Sequence, residues 1–169
     1  TINITVIGNP TVIASSSPTA ICLGSTATLT ALGGTSYTWN PGGLTASTIT
    51  VSPLANTVYT LTGLNASGCS NSTTLSLVVN PVPSITVTAS PILICIGNSS
   101  TLTATGAASY TWNPGGSTSN PVVVTPTVTT TYTVTGINAF GCTSIKTRPV
   151  IVSNPTLTAV ASSNTLCAG

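Results

Sequence analysis

Five cysteines, Cys22, Cys69, Cys95, Cys142 and Cys167, are the residues best equipped for covalent chemistry here, because the usual reactive groups are missing. There is no Asp, Glu or His, and Lys146 and Arg148 are the only charged side chains. Proton transfer needs an imidazole, a carboxylate or a tuned lysine, and metal catalysis needs carboxylate or imidazole ligands. A serine paired with Lys146 is conceivable, but Lys146 and Arg148 align with Thr73 and Leu75 in the internal repeat described below. The chain is therefore read as no enzyme, with no cofactor and no metal. The cysteines lie 25 to 47 residues apart, which is no zinc cluster but suits disulfides in an extracellular protein.

Four N-x-S/T triplets begin at Asn3, Asn65, Asn71 and Asn98, and such triplets mark surface glycan acceptors in secreted chains. Chance also produces them, since Ser and Thr make up roughly a third of the residues. A net charge of +2 forms no basic patch, so nucleic acid is excluded as a partner. Mean hydropathy is positive at +0.52, yet every apolar run is broken after a few residues, far short of the ~20 that a membrane-spanning helix needs.

The elements that must position the cysteines are set by repetition. Ser36-Tyr37-Thr38-Trp39-Asn40-Pro41-Gly42-Gly43 recurs letter for letter as Ser109 to Gly116. The same offset carries Cys22 onto Cys95, Tyr59 onto Tyr132, Gly63 onto Gly136, Asn65 onto Asn138 and Cys69 onto Cys142. Self-similarity at a long fixed period marks a tandem array. Four segments follow. Residues 1–9, with alternating Ile2, Ile4 and Val6, match the last strand of a preceding repeat. Residues 10–82 and 83–154 are two whole repeats, and 155–169 open another.

Within a repeat, short alternating segments are separated by turn signals every 8 to 12 residues, the pattern of an immunoglobulin-like sandwich. Ala27, Leu29 and Ala31 share one face, and Thr26, Thr28 and Thr30 the other. Trp39, Trp112, Tyr59 and Tyr132 fall on strands and are expected in the core. No stretch has helical periodicity. The fold class is all-β, with tandem Ig-like (PKD- or FnIII-like) sandwiches stacked end to end.

The Pro-x-x-x-Thr-x-Tyr segments at Pro53 to Tyr59 and Pro126 to Tyr132 resemble the tyrosine corner of such sandwiches. The ordered motifs I-C-x-G, Y-T-W-N-P-G-G and Y-T-x-T-G-x-N-A-x-G-C resemble the Ig-like and PKD-like repeats of giant surface adhesins of gliding Bacteroidota, exported by the type IX system. That resemblance implies a long rod on the outer surface of a bacterium, with an adhesive and not a catalytic role. PKD domains carry an Asp-rich loop after the tryptophan, whereas Trp39 and Trp112 here are followed by Asn-Pro-Gly-Gly, which lacks the carboxylates of that loop and puts ion binding there in doubt.

Two disulfide schemes remain open. Pairing within each repeat joins Cys22 with Cys69 and Cys95 with Cys142. A sandwich places those partners at opposite poles, a strand length apart, whereas a disulfide needs Cα atoms within ~7 Å. Pairing between repeats joins Cys22 with Cys142 and sends Cys69, Cys95 and Cys167 to flanking repeats. The leading function is thus a structural repeat of an extracellular filament or adhesin, whose partners are identical or similar neighbouring repeats. The alternatives are a module binding surface glycans or cells through loops 40–46 or 113–119, and a separate pilus-like subunit completed by an exchanged strand. A threonine-rich ice-binding face fits poorly with a twisted sheet.

Overall fold

The computed structural model describes residues 2 to 154, so Cys167 and the segment 155–169 lie outside the described residues. All regular structure among them is β-strand, and the chain divides into two compact units between Val82 and Pro83.

The first unit contains β1 (Ile13–Ser17), β2 (Ala20–Cys22), β3 (Ala27–Leu32), β4 (Ser36–Asn40), β5 (Thr48–Val51), β6 (Thr57–Leu64) and β7 (Ser70–Asn80). One sheet has the order β1-β3-β5 and the other β2-β7-β6-β4. All pairings are antiparallel except β2 with β7, where Ala20, Ile21 and Cys22 run parallel to Val78, Val79 and Asn80. The chain changes sheet between β1 and β2 at Pro18, a residue that has no N–H to give a ladder. Inward residues of both sheets meet in one core: Leu29 and Ile49 from the first, and Ile21, Trp39, Tyr59, Leu61 and Leu77 from the second. This is an immunoglobulin-like β-sandwich. The strict alternation in β3, with Ala27, Leu29 and Ala31 buried, follows from the two-residue period of a strand half covered by a second sheet.

The second unit repeats the arrangement with β8 (Thr86–Ser90), β9 (Leu93–Cys95), β10 (Ser100–Thr105), β11 (Ser109–Asn113), β12 (Val122–Val124), β13 (Thr130–Ile137) and β14 (Thr143–Ser153). Its sheets are β12-β10-β8 and β11-β13-β14-β9. Pro121 stands where the first unit has Thr48, and the strand is correspondingly shorter. In the first unit the Ala31 N–H donates to Ser47 O at 2.7 Å. In the second, the amide of Asn120 takes over: Ala104 N donates to Asn120 Oδ1 at 2.9 Å, and Asn120 Nδ2 donates to Ala104 O at 2.7 Å.

Residues 2 to 10 form no strand, and Ile2, Ile4 and Val6 are 85 to 92% exposed; alternation makes a strand only where a neighbouring strand supplies hydrogen bonds. The tyrosine corner also differs. Tyr59 and Tyr132 are buried at the start of β6 and β13, but neither hydroxyl has a hydrogen-bond partner among the described residues. The tyrosines that close on backbone are Tyr37 and Tyr110. Gly34 N donates to Tyr37 Oη at 2.9 Å, and that hydroxyl donates to Gly34 O at 2.7 Å. Tyr110 does the same with Ala107.

Glycine sets the packing at one end of each sandwich. Gly33 has φ +88°, and a Cβ there would stand 1.7 Å from Thr11 O. Gly63, inside β6, leaves the space that Val12 fills; an added Cβ would lie 2.8 Å from Val12 Cγ2. Gly136 makes the same room for Ile85. Gly63→Ala is expected to cost about 1–3 kcal/mol by overpacking. In a denaturation double-mutant cycle, Val12→Ala should recover part of that loss, and strict additivity would show that the two sites do not share the space.

Candidate functional site

The features with chemical or binding potential lie at the two poles of each sandwich. At one pole β6 turns into β7 through Asn65, whose side chain uses both ends of its amide. Asn65 Oδ1 accepts from Ser67 N and Cys69 N, each at 3.0 Å, while Nδ2 donates to Gly8 O at 3.0 Å. Beside it Asn71 Nδ2 donates to Pro10 O at 3.1 Å, and Cys69 Sγ donates to Ile7 O at 3.7 Å. The incoming residues 7 to 10 are thereby gripped by the β6–β7 hairpin. Asn138 builds the same turn in the second unit, accepting from Phe140 N and Cys142 N at 3.0 Å each.

At the opposite pole Cys22 ends β2 beside Asn80, the end of β7. Leu23 N donates to Asn80 O at 2.8 Å, and Val79 N donates to Asn56 Oδ1 at 2.8 Å. The second unit matches this with Cys95 beside Ser153 and with Val152 N donating to Thr129 Oγ1 at 3.1 Å.

The strand between the poles decides which cysteines can meet. Cys69 directly precedes β7 and Cys22 is in register with its last residue, eleven positions on. At ~3.3 Å per residue that separates them by roughly 35 Å, several times the reach of a disulfide. The separation exceeds the single short strand assumed from sequence, because β7 and β14 are eleven residues long. Cys95 and Cys142 are divided in the same way. In the structure Cys69 and Cys95 are free thiols, whereas Cys22 and Cys142 are each in the disulfide state. Neither within-repeat pair is formed.

The other sequence-derived candidates are placed as follows. Trp39 and Trp112 are fully buried, and Tyr59 and Tyr132 nearly so. Trp39 Nε1 donates to Ala46 O at 3.1 Å, whereas Trp112 Nε1 has no partner among the described residues. Of the glycan acceptors, Asn3 and Asn98 are exposed, while the amide nitrogens of Asn65 and Asn71 are engaged with backbone carbonyls. Lys146 is exposed on β14. No helix among the described residues is long and apolar enough to cross a membrane. The sequence marks Asn65 as a glycan acceptor and as the equivalent of Asn138; that each stands four residues before a cysteine is the available sign of its grip on the hairpin.

No protein-family model matches the chain, and no curated protein matches it. Solved structures do. An adhesin of an Antarctic bacterium, described as Ca2+-stabilised and ice-binding, is 18% identical, with 89% of this chain and 50% of that one covered and a TM-score of 0.46. A 1.5-MDa bacterial ice-binding adhesin is 13% identical, with 87% and 66% covered and a TM-score of 0.39. The mouse nectin-like molecule 4 ectodomain, Ig1 to Ig3, is 18% identical, with 90% and 66% covered and a TM-score of 0.37. The chain spans about half to two-thirds of the length of these solved chains, and the likeness at such identities concerns architecture alone.

Asn65→Ala is expected to cost about 1–2 kcal/mol, from stranded Ser67 and Cys69 N–H groups. Asn65→Asp keeps the acceptor and loses the donor to Gly8, so hydrogen exchange should speed up at residues 7 to 10 and not in β6. Uniform acceleration would contradict the assigned grip. Burial raises the phenol pKa of Tyr59 and Tyr132 above the ordinary value. Their contribution is complete below the unfolded value of about 10 and is lost as pH rises through the higher folded value. With no carboxylate or imidazole side chain to titrate, the chemical-denaturation midpoint should stay flat from about pH 3 to 9 and fall above about 10. A marked acid transition would refute this.

Proposed function

We propose that the chain is a structural repeat of an extracellular filament or giant surface adhesin, in which successive sandwiches are joined pole to pole by a disulfide from Cys22 to Cys142. The observation that carries this reading is the state of the cysteines. Cys22 and Cys142 are each in the disulfide state, while the partner that either would have inside its own repeat is a free thiol at the far end of an eleven-residue strand. Equivalent positions then send Cys69, Cys95 and Cys167 to flanking repeats. Structural disulfides belong to oxidising compartments, which supports a location outside the cell.

The near identity of loops 40–46 and 113–119 supports a scaffold over a specific binding tip. Loops 40–46 and 113–119 begin with the same residues, whereas a tip that recognises one ligand needs to differ from its neighbours. The segment boundaries at residues 9, 82 and 154 and the resemblance to gliding Bacteroidota adhesins belong to the same proposal, with glycan attached at exposed Asn3 or Asn98. A glycan-binding module is the second reading, favoured by the apolar groove of Pro41, Leu44, Val51, Leu54 and Tyr59 beside loop 40–46. A pilus-like subunit completed by strand exchange is supported by the exposed, unpaired residues 2 to 6.

Peptide mapping without reduction tests the proposal: a fragment linking Cys22 to Cys142 is expected, and Cys22 linked to Cys69 would reject it. Mass of the intact natural polypeptide separates the architectures. A value far above 16.6 kDa supports a tandem chain, and one close to it supports exchanging subunits.

A further inference from the structure

We infer that two covalent rails run along a stack of these repeats, so that tension crosses each sandwich without loading its body. The inference rests on the Cys22 to Cys142 bond proposed above. In the first unit, one rail is the segment from Pro10 to Cys22. It enters at the Asn65 pole, where Pro10 O accepts from Asn71, and leaves at the opposite pole, where Cys22 lies beside Asn80. The other rail is Cys69 to Asn80, which starts and ends at the same two poles. Their parallel register at Ala20, Ile21 and Cys22 confirms that both run in one direction. The second unit has the same pair of rails, one ending at Cys95 and one running from Cys142 to Ser153, again parallel where Leu93, Ile94 and Cys95 meet Ile151, Val152 and Ser153.

Between the units each rail continues into the other kind. Cys69 to Asn80 passes through the Pro81-Val82-Pro83 backbone into the rail that ends at Cys95. The rail ending at Cys22 passes through sulfur into the one that begins at Cys142. Residues 23–68 and 96–141 hold β3 to β6, β10 to β13 and both tryptophans, and they hang from the rails without being part of the path. A strand at ~3.3 Å per residue is already close to the ~3.6 Å limit of an extended chain, so the rails from Cys69 and Cys142 can lengthen by only about a tenth, and the two-strand rails ending at Cys22 and Cys95 by about 10 Å. An immunoglobulin-like array without such bonds lengthens under load by unfolding whole domains. This one is an inextensible tether.

Single-molecule stretching of the full chain by peptide tags at its two ends tests this, with the cysteine map taken on the same sample. Reduced, and with folding checked by tryptophan fluorescence, the chain should release two steps of about 200 Å each. Oxidised, it should show no step of that size before the attachments fail. Because residues 23 to 141 are locked, it should extend about 400 Å less. A Cys22→Ser, Cys142→Ser double variant should behave as the reduced chain does. If the map shows Cys22 linked to Cys142 and the oxidised chain still lengthens stepwise by more than about 50 Å beyond the compliance of its ends, the rails are slack and this inference fails while the staple stands. Two steps of about 50 Å, with Cys22 linked to Cys69 and Cys95 to Cys142, sink the staple itself.

Discussion

The last strand of each sandwich imposes the constraint from which the rest follows. Eleven residues of nearly extended chain in β7, and again in β14, hold the two cysteines of a repeat apart by far more than a sulfur bridge can span. A domain of about seventy residues sits near the lower size limit for an independent core, and a bond inside it is the usual remedy. Here geometry refuses that remedy to the two cysteines of a repeat. The parallel pairing of β2 with β7 puts Cys22 at the pole where the chain leaves the unit, and the Asn65 turn puts Cys69 where the chain enters.

Each pole is held by neutral groups alone. Amide side chains of Asn65, Asn71 and Asn56 bind backbone N–H and C=O groups, and Thr129 takes the place of Asn56 in the second unit. Ion pairs would weaken with salt and carboxylate-bound metal would depend on supply. Hydrogen bonds between neutral groups depend on neither. The outer faces follow the same choice, with Ser and Thr where other sheet proteins place Lys and Glu.

Much of this was legible in the sequence because the signals were periodic. The Tyr-Thr-Trp-Asn-Pro-Gly-Gly restatement set the repeat, and the two-residue alternation of 27–31 assigned the buried face of β3 without ambiguity. What escaped depended on neighbours distant in sequence. Ile2, Ile4 and Val6 alternate as a strand does, yet no ladder runs beside them. Tyr59 has the spacing of a tyrosine corner, but its hydroxyl direction is set by the core, and Tyr37 closes on Gly34 instead. The glycines at 63 and 136 were visible as equivalents of one another. That each makes room for Val12 or Ile85 could be known only once β6 and the entering chain lay side by side.

The sheet orders place β1, β5, β2 and β4 at the margins of the first sandwich, and each is bordered by a proline: Pro10 and Pro18, Pro53, Pro18, and Pro41. In the second, Pro121 opens β12, and Asn120 satisfies the inner groups that the proline cannot. Unpaired strand edges invite other chains to add on and aggregate, a hazard most proteins meet with charged side chains. In the first unit, which has no charged side chain, the ring near each marginal strand offers an intruding strand no donor and so shortens the edge on which another chain could add.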